Sequence, residues 1–331
     1  MINSTICTIG GGTGMPVINE ALLKAGYKHV DSVVTTFDSG GDTGRMRTDE
    51  RGRILAFSDY WRSLISLWTD GKQKADWVEM LRFRDGRGRN FGNIFFQFMS
   101  EKAGNLSDVD NLFSHLTGAK INGSVVPVSL VPTDVCFETI SGAKYCGEHH
   151  LDNLRMSFDK VSKVWLTPEV PANEDALQAL ERAKVIILCP GSMYGSLITT
   201  ILPKGVSETY KKSKAKKILM TNLMSVANEN DGYTQDDYVK IFARYLGDKK
   251  PVDQVIMADI NKLKGKSFEK TMQNYEMEHS YPIRLSEKQS YDYETLVMDV
   301  ATIDKSNFRL RHSVSKLAKV FATMNLCRKG N

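Results

Sequence analysis

Short apolar runs alternate with amphipathic stretches along most of the chain. Ser4–Ile9 reads as a buried strand, and Met15–Lys24 has helical spacing that stops near Gly26. Val30–Thr36 is a second buried run, so the chain opens as strand, loop, helix and parallel strand. Apolar positions between Ile54 and Trp68, among them Leu55, Phe57, Trp61, Leu64 and Ile65, predict another helix. Asn93–Ala103 and Ser107–Gly118 predict two more, the second opened by a capping Ser107. The texture then turns β-rich over Ser124–Val131, Val135–Ile140 and Lys144–Glu148, the last two joined as a hairpin through Ser141, Gly142 and Ala143. This region is either an inserted antiparallel unit or an edge of the sheet. Alternation resumes with a helix at Glu174–Arg182, a strand at Val185–Cys189, a helix after Gly195 and a strand at Lys217–Asn222. A helix at Gln235–Leu246 and a strand at Val255–Ala258 follow. The stretch from Lys262 to Asn307 is polar and predicts no clear element, and residues 309–326 predict a closing amphipathic helix. Such alternation implies an α/β fold with a mostly parallel sheet covered on both faces. We expect a single domain over residues 1–331, with a small β-rich insertion at about residues 122–150.

Composition adds mainly exclusions. The chain has 331 residues, 41% hydrophobic and 25% charged, enough to bury a sizeable core. No apolar run approaches the roughly 18 residues that cross a bilayer, and no secretory leader pattern opens the chain. A cytoplasmic location without membrane contact is expected. The five cysteines, Cys7, Cys136, Cys146, Cys189 and Cys327, are scattered, odd in number and free of any CxxC spacing. Neither a disulfide framework nor a zinc knuckle is expected from them. Cys146-Gly147-Glu148-His149-His150 reads as a surface hairpin rather than a metal site. The net charge of +5 is modest, and its densest run, Lys211–Lys217, reads as a solvated turn. No aromatic-rich basic motif supports a nucleic-acid partner.

The candidate chemistry lies in the loops. Gly10, Gly11, Gly12, Thr13 and Gly14 stand where the first strand meets the first helix. A helix start leaves amide N–H groups unpaired, and glycines let an anion approach them closely. The loop is therefore a phosphate cradle or a turn required for helix–sheet packing; it matches neither a Walker motif nor GxGxxG. After the second strand come Asp38, Ser39, Gly40, Gly41, Asp42, Thr43 and Gly44, followed by Arg45 and Arg47. This loop would lie at the carboxyl edge of a parallel sheet, where open α/β sheets bind ligands. Asp38 suits a metal or a ribose hydroxyl, and the arginines suit phosphate or carboxylate. Pro190-Gly191-Ser192 repeats the pattern, with Ser192 as a helix cap, a ligand contact or both. Asn222 ends a strand and can contact a base or sugar, and Thr234 is a good N-cap. Arg82, Arg84, Arg87 and Arg89 lead into Gly92 and Asn93, either as a loop closing over an anion or as plain surface. No Ser-His-Asp or Cys-His arrangement presents itself, which disfavours a histidine-based hydrolase. The remaining set of glycine amides, carboxylates, arginines and Asn suits a diphosphate with Mg²⁺.

Taken in order, GGGTG, VTTFDSGGDTGRMR, RNFGNIFF, CPGSMYGSLITTILP and TNLMSVANENDGYTQDDYVK resemble the CofD-like family, in particular its YvcK branch, from Ile6 to about Leu246. The resemblance implies a Rossmann-like, doubly wound fold and a nucleoside-diphosphate ligand. On the YvcK side it implies UDP-sugar binding and control of carbon metabolism and cell-wall precursor supply. On the CofD side it implies a Mg²⁺-dependent transferase moving a phospholactyl-like group from a nucleoside-diphosphate donor to an acceptor. Asp38 and Asp59 stand at family aspartate positions and would place Mg²⁺, although the family's second aspartate beside Asp38 is Ser39 here. Arg89 stands where the family has His. A homodimer is expected from the family. The transferase reading also expects a flat apolar acceptor pocket near Trp61, Phe91 or Phe95, residues that otherwise read as core aromatics.

Overall fold

The computed structural model describes residues 5–40, 55–71, 73–104, 106, 108–324 and 326. The first strand, β1 (Ile6–Gly10), runs into α1 (Gly14–Lys24), and β2 (Val30–Val34) lies parallel to it. Then come α2 (Ser58–Leu67), β3 (Trp68–Asp70), α3 (Lys74–Arg82), α4 (Phe91–Ala103), α5 (Val109–Thr117), β4 (Lys120–Ile121) and β5 (Gly123–Pro127). The antiparallel strands β6 (Asp134–Thr139), β7 (Lys144–Cys146) and β8 (Val161–Thr167) enclose the short α6 (His149–Asn153). Alternation resumes with α7 (Glu174–Arg182), β9 (Val185–Leu188), α8 (Val206–Lys212), β10 (Lys216–Met220), α9 (Ala227–Asn230), α10 (Gln235–Leu246) and β11 (Gln254–Ala258). The last elements are α11 (Lys266–Met277), β12 (Glu294–Met298), β13 (Ala301–Asp304), β14 (Arg309–His312) and α12 (Val314–Met324).

Seven described strands form one parallel sheet in the order β12-β11-β10-β9-β1-β2-β5. Every residue of β1, β2 and β9 is buried, which requires cover on both faces. The two cores show how that cover is divided. Val185 and Ile187 of β9 face a cluster containing Met15, Ile18, Leu22, Leu64, Leu317 and Phe321. Ile186 and Leu188 face the other cluster, with Ala179, Tyr210, Phe242 and the antiparallel strands' Phe137 and Val164. Period-two alternation on a central strand thus feeds two helical layers, a Rossmann-like, doubly wound arrangement. A buried polar knot sets the seating of α1. Asn19 accepts from Thr8 Oγ1 at 3.0 Å and donates to Ser32 and Ser66 at 2.9 and 3.0 Å, tying α1 to β1, β2 and α2.

Several expectations change in detail. The Ser124–Val131 run is the sheet's parallel edge β5, whereas the two runs after it belong to the separate antiparallel unit with β8. Cys136 and Cys146 sit directly opposite in that hairpin and form a disulfide, contrary to the reading of their spacing. Nine intervening residues place them in cross-strand register, a relation that a search for CxxC does not test. Cys7 and Cys189 are free and buried, and Cys327 lies outside the described residues. The polar stretch after Lys262 contains α11, β12 and β13. The expected closing helix from Arg309 begins instead at Val314, because Arg309–His312 pairs antiparallel with β13. Among the described residues no helix is long and apolar enough to cross a membrane.

Candidate functional site

The strand order reverses direction between β1 and β9. From β1 the chain builds outward through β2 and β5; from β9 it builds the other way through β10, β11 and β12. Connections on the two sides diverge there, and a crevice opens at the carboxyl ends of the strands. Gly10–Gly14 follows β1 and Pro190–Ser192 follows β9, so both glycine loops stand at this crevice. They touch each other: a Cβ on Gly14 would sit 2.0 Å from the Pro190 carbonyl oxygen. Asn222, just beyond β10, fastens the second loop with both ends of its amide. Gly191 N–H donates to its Oδ1 at 3.0 Å and its Nδ2 donates to the Gly191 carbonyl at 2.8 Å.

These loops share one cavity of about 470 Å³, lined among others by Gly12, Thr13, Gly14, Gly191, Ser192 and Asn222. Its far wall is made by Tyr275, Ser280, Leu310, Arg311 and His312, and Asp152 and Arg155 also line it. The first helical turn of α1 has no acidic side chain to compete for an anion. Ser192 serves as the cap that the sequence suggests. Its Oγ accepts from Gly195 N–H at 2.8 Å, opening a π-helical turn at Met193–Leu197, and it donates to the Glu229 carboxylate at 2.9 Å.

A ring of carboxylates lies behind the cradle. Asp59 is 6% exposed, and its Oδ2 occupies the space where a Gly11 Cβ would point, 2.3 Å away. The Gly12 amide hydrogen-bonds to it, and Arg62 pairs with it at 3.3 Å. Burial outweighs Arg62 and, with the charge of Asp38, raises Asp59 to about 6. Asp38 accepts from the Gly40 amide at 2.7 Å and from Ser58 Oγ at 2.8 Å. Around Gly40 gather Asp38 Oδ1, Glu148 Oε2 and Asp152 Oδ2, at 3.2, 3.8 and 4.0 Å from its Cβ direction. Burial, then the Asp38 and Asp152 charges, pushes Glu148 well up, against a hydrogen bond from the Ser39 amide. Burial likewise raises Glu229, against the hydrogen bonds it accepts from Ser192 and from the Tyr194 amide.

The expected site residues therefore separate. Gly12, Thr13, Gly14, Gly191, Ser192 and Asn222 line the cavity, while Gly10 and Gly11 lie just beneath it. Asp38 and Asp59 lie behind the glycine loops without lining the cavity, Asp59 against Gly11 and Asp38 against Gly40. Gly92 and Asn93 are not brought to this cavity. Gly92 packs against the Leu81 carbonyl and Trp61, and Asn93 Oδ1 accepts from Trp61 Nε1 at 3.0 Å. Gly41, Thr43, Arg45 and Arg47 lie outside the described residues. Phe95 packs among Trp77, Phe96 and Phe113, the core role, and Phe91 stacks on Phe95. Glu148, Asp152 and Glu229 were missed as site residues. Glu148 falls in the very stretch read as a surface hairpin, Asp152 lies two residues beyond that stretch, and Glu229 lies seven residues beyond Asn222.

A model of the family described as 2-phospho-L-lactate transferase CofD matches residues 6–302. The chain belongs to the CofD/YvcK family. Within it, the gluconeogenesis factor of Listeria innocua is 28% identical over 255 residues, 76% of this chain and 76% of that protein. A Thermotoga maritima protein, provisionally named a gluconeogenesis factor, is 29% identical over 320 residues, 95% of this chain and 97% of its own length. A Bacillus halodurans crystal structure described as a UPF0052 family member superposes with a TM-score of 0.83 at 24% identity, covering 96% of this chain and 99% of that one. That likeness establishes the fold.

Proposed function

We propose that this CofD-family chain binds a nucleoside diphosphate of the UDP-sugar type at the β1/β9 crevice and acts as a regulator of carbon metabolism or cell-wall precursor supply. The observation supporting it is the shared cavity: two glycine loops and Asn222, from three separate strand ends, open onto one space. The α1 amides and dipole favour the diphosphate there, and the far wall offers Tyr275 and Arg311 to the remainder of the ligand.

Mg²⁺ fits the donor set in one particular mode. Among the described residues no group of three or more His, Cys, Asp or Glu side chains is arranged to hold a metal ion alone. Mg²⁺ commonly takes one or two carboxylates and completes its shell with ligand phosphates and water. Asp38 and Asp59 supply hard oxygen donors, and Glu148 Oε2 lies near Asp38. Bound there, the ion would neutralise diphosphate charge. These acids also favour a second reading, a Mg²⁺-dependent transferase of a phospholactyl-like group, in which the same charge neutralisation assists a leaving nucleoside monophosphate.

Calorimetric titration with UDP-N-acetylglucosamine, GDP and NAD, each with and without Mg²⁺, tests both readings. Binding of the UDP-sugar without turnover supports the regulator, and turnover of a nucleoside-diphosphate donor with a deazaflavin acceptor supports the transferase. Failure of all three nucleotides to bind overturns both.

A further inference from the structure

Thr13 and Val17 line the nucleotide cavity on one side of α1 and a separate cavity of about 440 Å³ on the other. We propose that this second cavity binds a small polyanion, a metabolite carrying two or more phosphate or carboxylate groups. The inference does not depend on the nucleotide reading.

The charge balance carries it. Arg62, Arg82 and Arg84 line the cavity with Trp61, and among the described residues a single carboxylate, Glu20, lines it with them. Burial raises Glu20, against the charges of Lys74 and Arg82. Arg62 is shared with Asp59 at 3.3 Å. Among the described residues neither Arg82 nor Arg84 has a carboxylate within ion-pair distance; Arg84 donates only to the Gly88 carbonyl, at 3.0 Å. Three guanidinium groups facing one carboxylate in the same cavity leave positive charge in excess, and a planar, multiply charged anion neutralises that excess through forked hydrogen bonds.

The local architecture holds this arrangement open. Asn90 Nδ2 donates to the carbonyls of Leu81 and Phe83 at 3.0 and 3.3 Å, and the Phe91 amide donates to Phe83. That clamp holds the chain extended at Phe83, which is 61% exposed, so Arg82 and Arg84 on either side turn together toward the cavity. Trp61 spends its N–H on Asn93 and leaves ring carbons to the cavity wall, with the Arg62 guanidinium 5.6 Å from the ring centre. The volume lies within the range of small-molecule sites.

Calorimetric titration with citrate and with glucose 1,6-bisphosphate tests the site on the full chain, so that carboxylate and phosphate sources are separated. One equivalent of at least one probe is expected to bind, and R82Q/R84Q should weaken it about tenfold or more. R87Q/R89Q, an equal loss of charge in the same loop but off the cavity wall, should leave the affinity unchanged. Absence of binding by both probes at about 10 mM overturns the proposal. So does full affinity in R82Q/R84Q, or an equal loss in R87Q/R89Q. Matching far-UV spectra and melting temperatures of the two variants exclude misfolding as the cause.

Discussion

Asp59 shows how a single side chain couples stability to the site. In the unfolded chain it titrates near its ordinary 3.8, and in the folded protein near 6. Between these values the folded state holds more protons than the unfolded one, so its contribution to stability falls as pH rises from about 4 to about 6 and stays low above that. The size is at most roughly 3 kcal/mol. Asp110, raised to about 6 by burial, acts in the same direction, and His312, lowered to about 4 by burial, acts in the opposite one. Comparison of Asp59→Asn with the parent cancels both. We expect the variant to be about 1–3 kcal/mol more stable at pH 7.5, with the difference shrinking toward pH 4, while its Mg²⁺-dependent affinity for nucleotide falls. Urea unfolding across that pH range checks this, and a variant less stable than the parent at pH 7.5 contradicts it. Gly14 offers a steric counterpart. Ala there would drive a methyl group into the Pro190 carbonyl, costing about 1–3 kcal/mol and forcing the two loops apart. Gly26→Ala, at φ +100 with nothing within 4 Å, costs only backbone strain of about 1–2 kcal/mol. Both should lower the melting temperature, but only Gly14→Ala should abolish nucleotide binding.

At the scale of elements, legibility follows the strength of local signals. Gln235–Leu246 is read to the residue because Thr234 and Asp237 form a reciprocal capping box and Gly247 ends the helix in a left-handed conformation. The first strand–loop–helix is legible because buried strands and glycines make an unambiguous boundary. By contrast β12 is an edge strand with no fully buried residue, and β13 and β14 form a two-stranded pair in which only Ala301, Leu310 and His312 are buried. Their pattern contains little hydrophobic contrast to read, since the information lies in partners distant in the chain. The Cys136–Cys146 bridge is of the same kind, visible once the hairpin register is known. It ties β6 to β7 two residues before Glu148 enters the acidic ring. Closing so short a loop contributes up to about 2–3 kcal/mol by chain entropy. Cys146→Ser, or reduction with dithiothreitol, should lower the urea midpoint accordingly and weaken Mg²⁺-dependent nucleotide binding. Equal midpoints with and without reductant would show that hairpin pairing alone secures the arm.

For the whole molecule, the decisive feature is where the strand order reverses. Two glycine loops could be recognised as candidates from residues alone, but their sharing of one crevice depends on β9 pairing with β1, residues 185–188 against 6–9. The same pairing explains why the acids were not foreseen. Asp152 arrives from a helix inside the antiparallel arm and Glu229 from one after β10, so no spacing in the chain announces that Asp152 lines a cavity with Gly12 or that Glu229 accepts from Ser192. A site assembled from both halves of a sheet also links ligand and fold. A molecule bridging the β1 and β9 loops binds the native state and not the unfolded chain, so it must raise the apparent stability by RT ln(1 + [L]/Kd). At 100 times its Kd, UDP-N-acetylglucosamine should therefore add about 2.7 kcal/mol. For a chain of this length that corresponds to about 4 °C in thermal unfolding. Asn222→Ala frees the Gly191 loop from its two-point clamp, so the same ligand concentration should yield a much smaller shift. A full shift in that variant would mean that the ligand sits elsewhere, because no site on one side of the crevice depends on the loop that Asn222 holds.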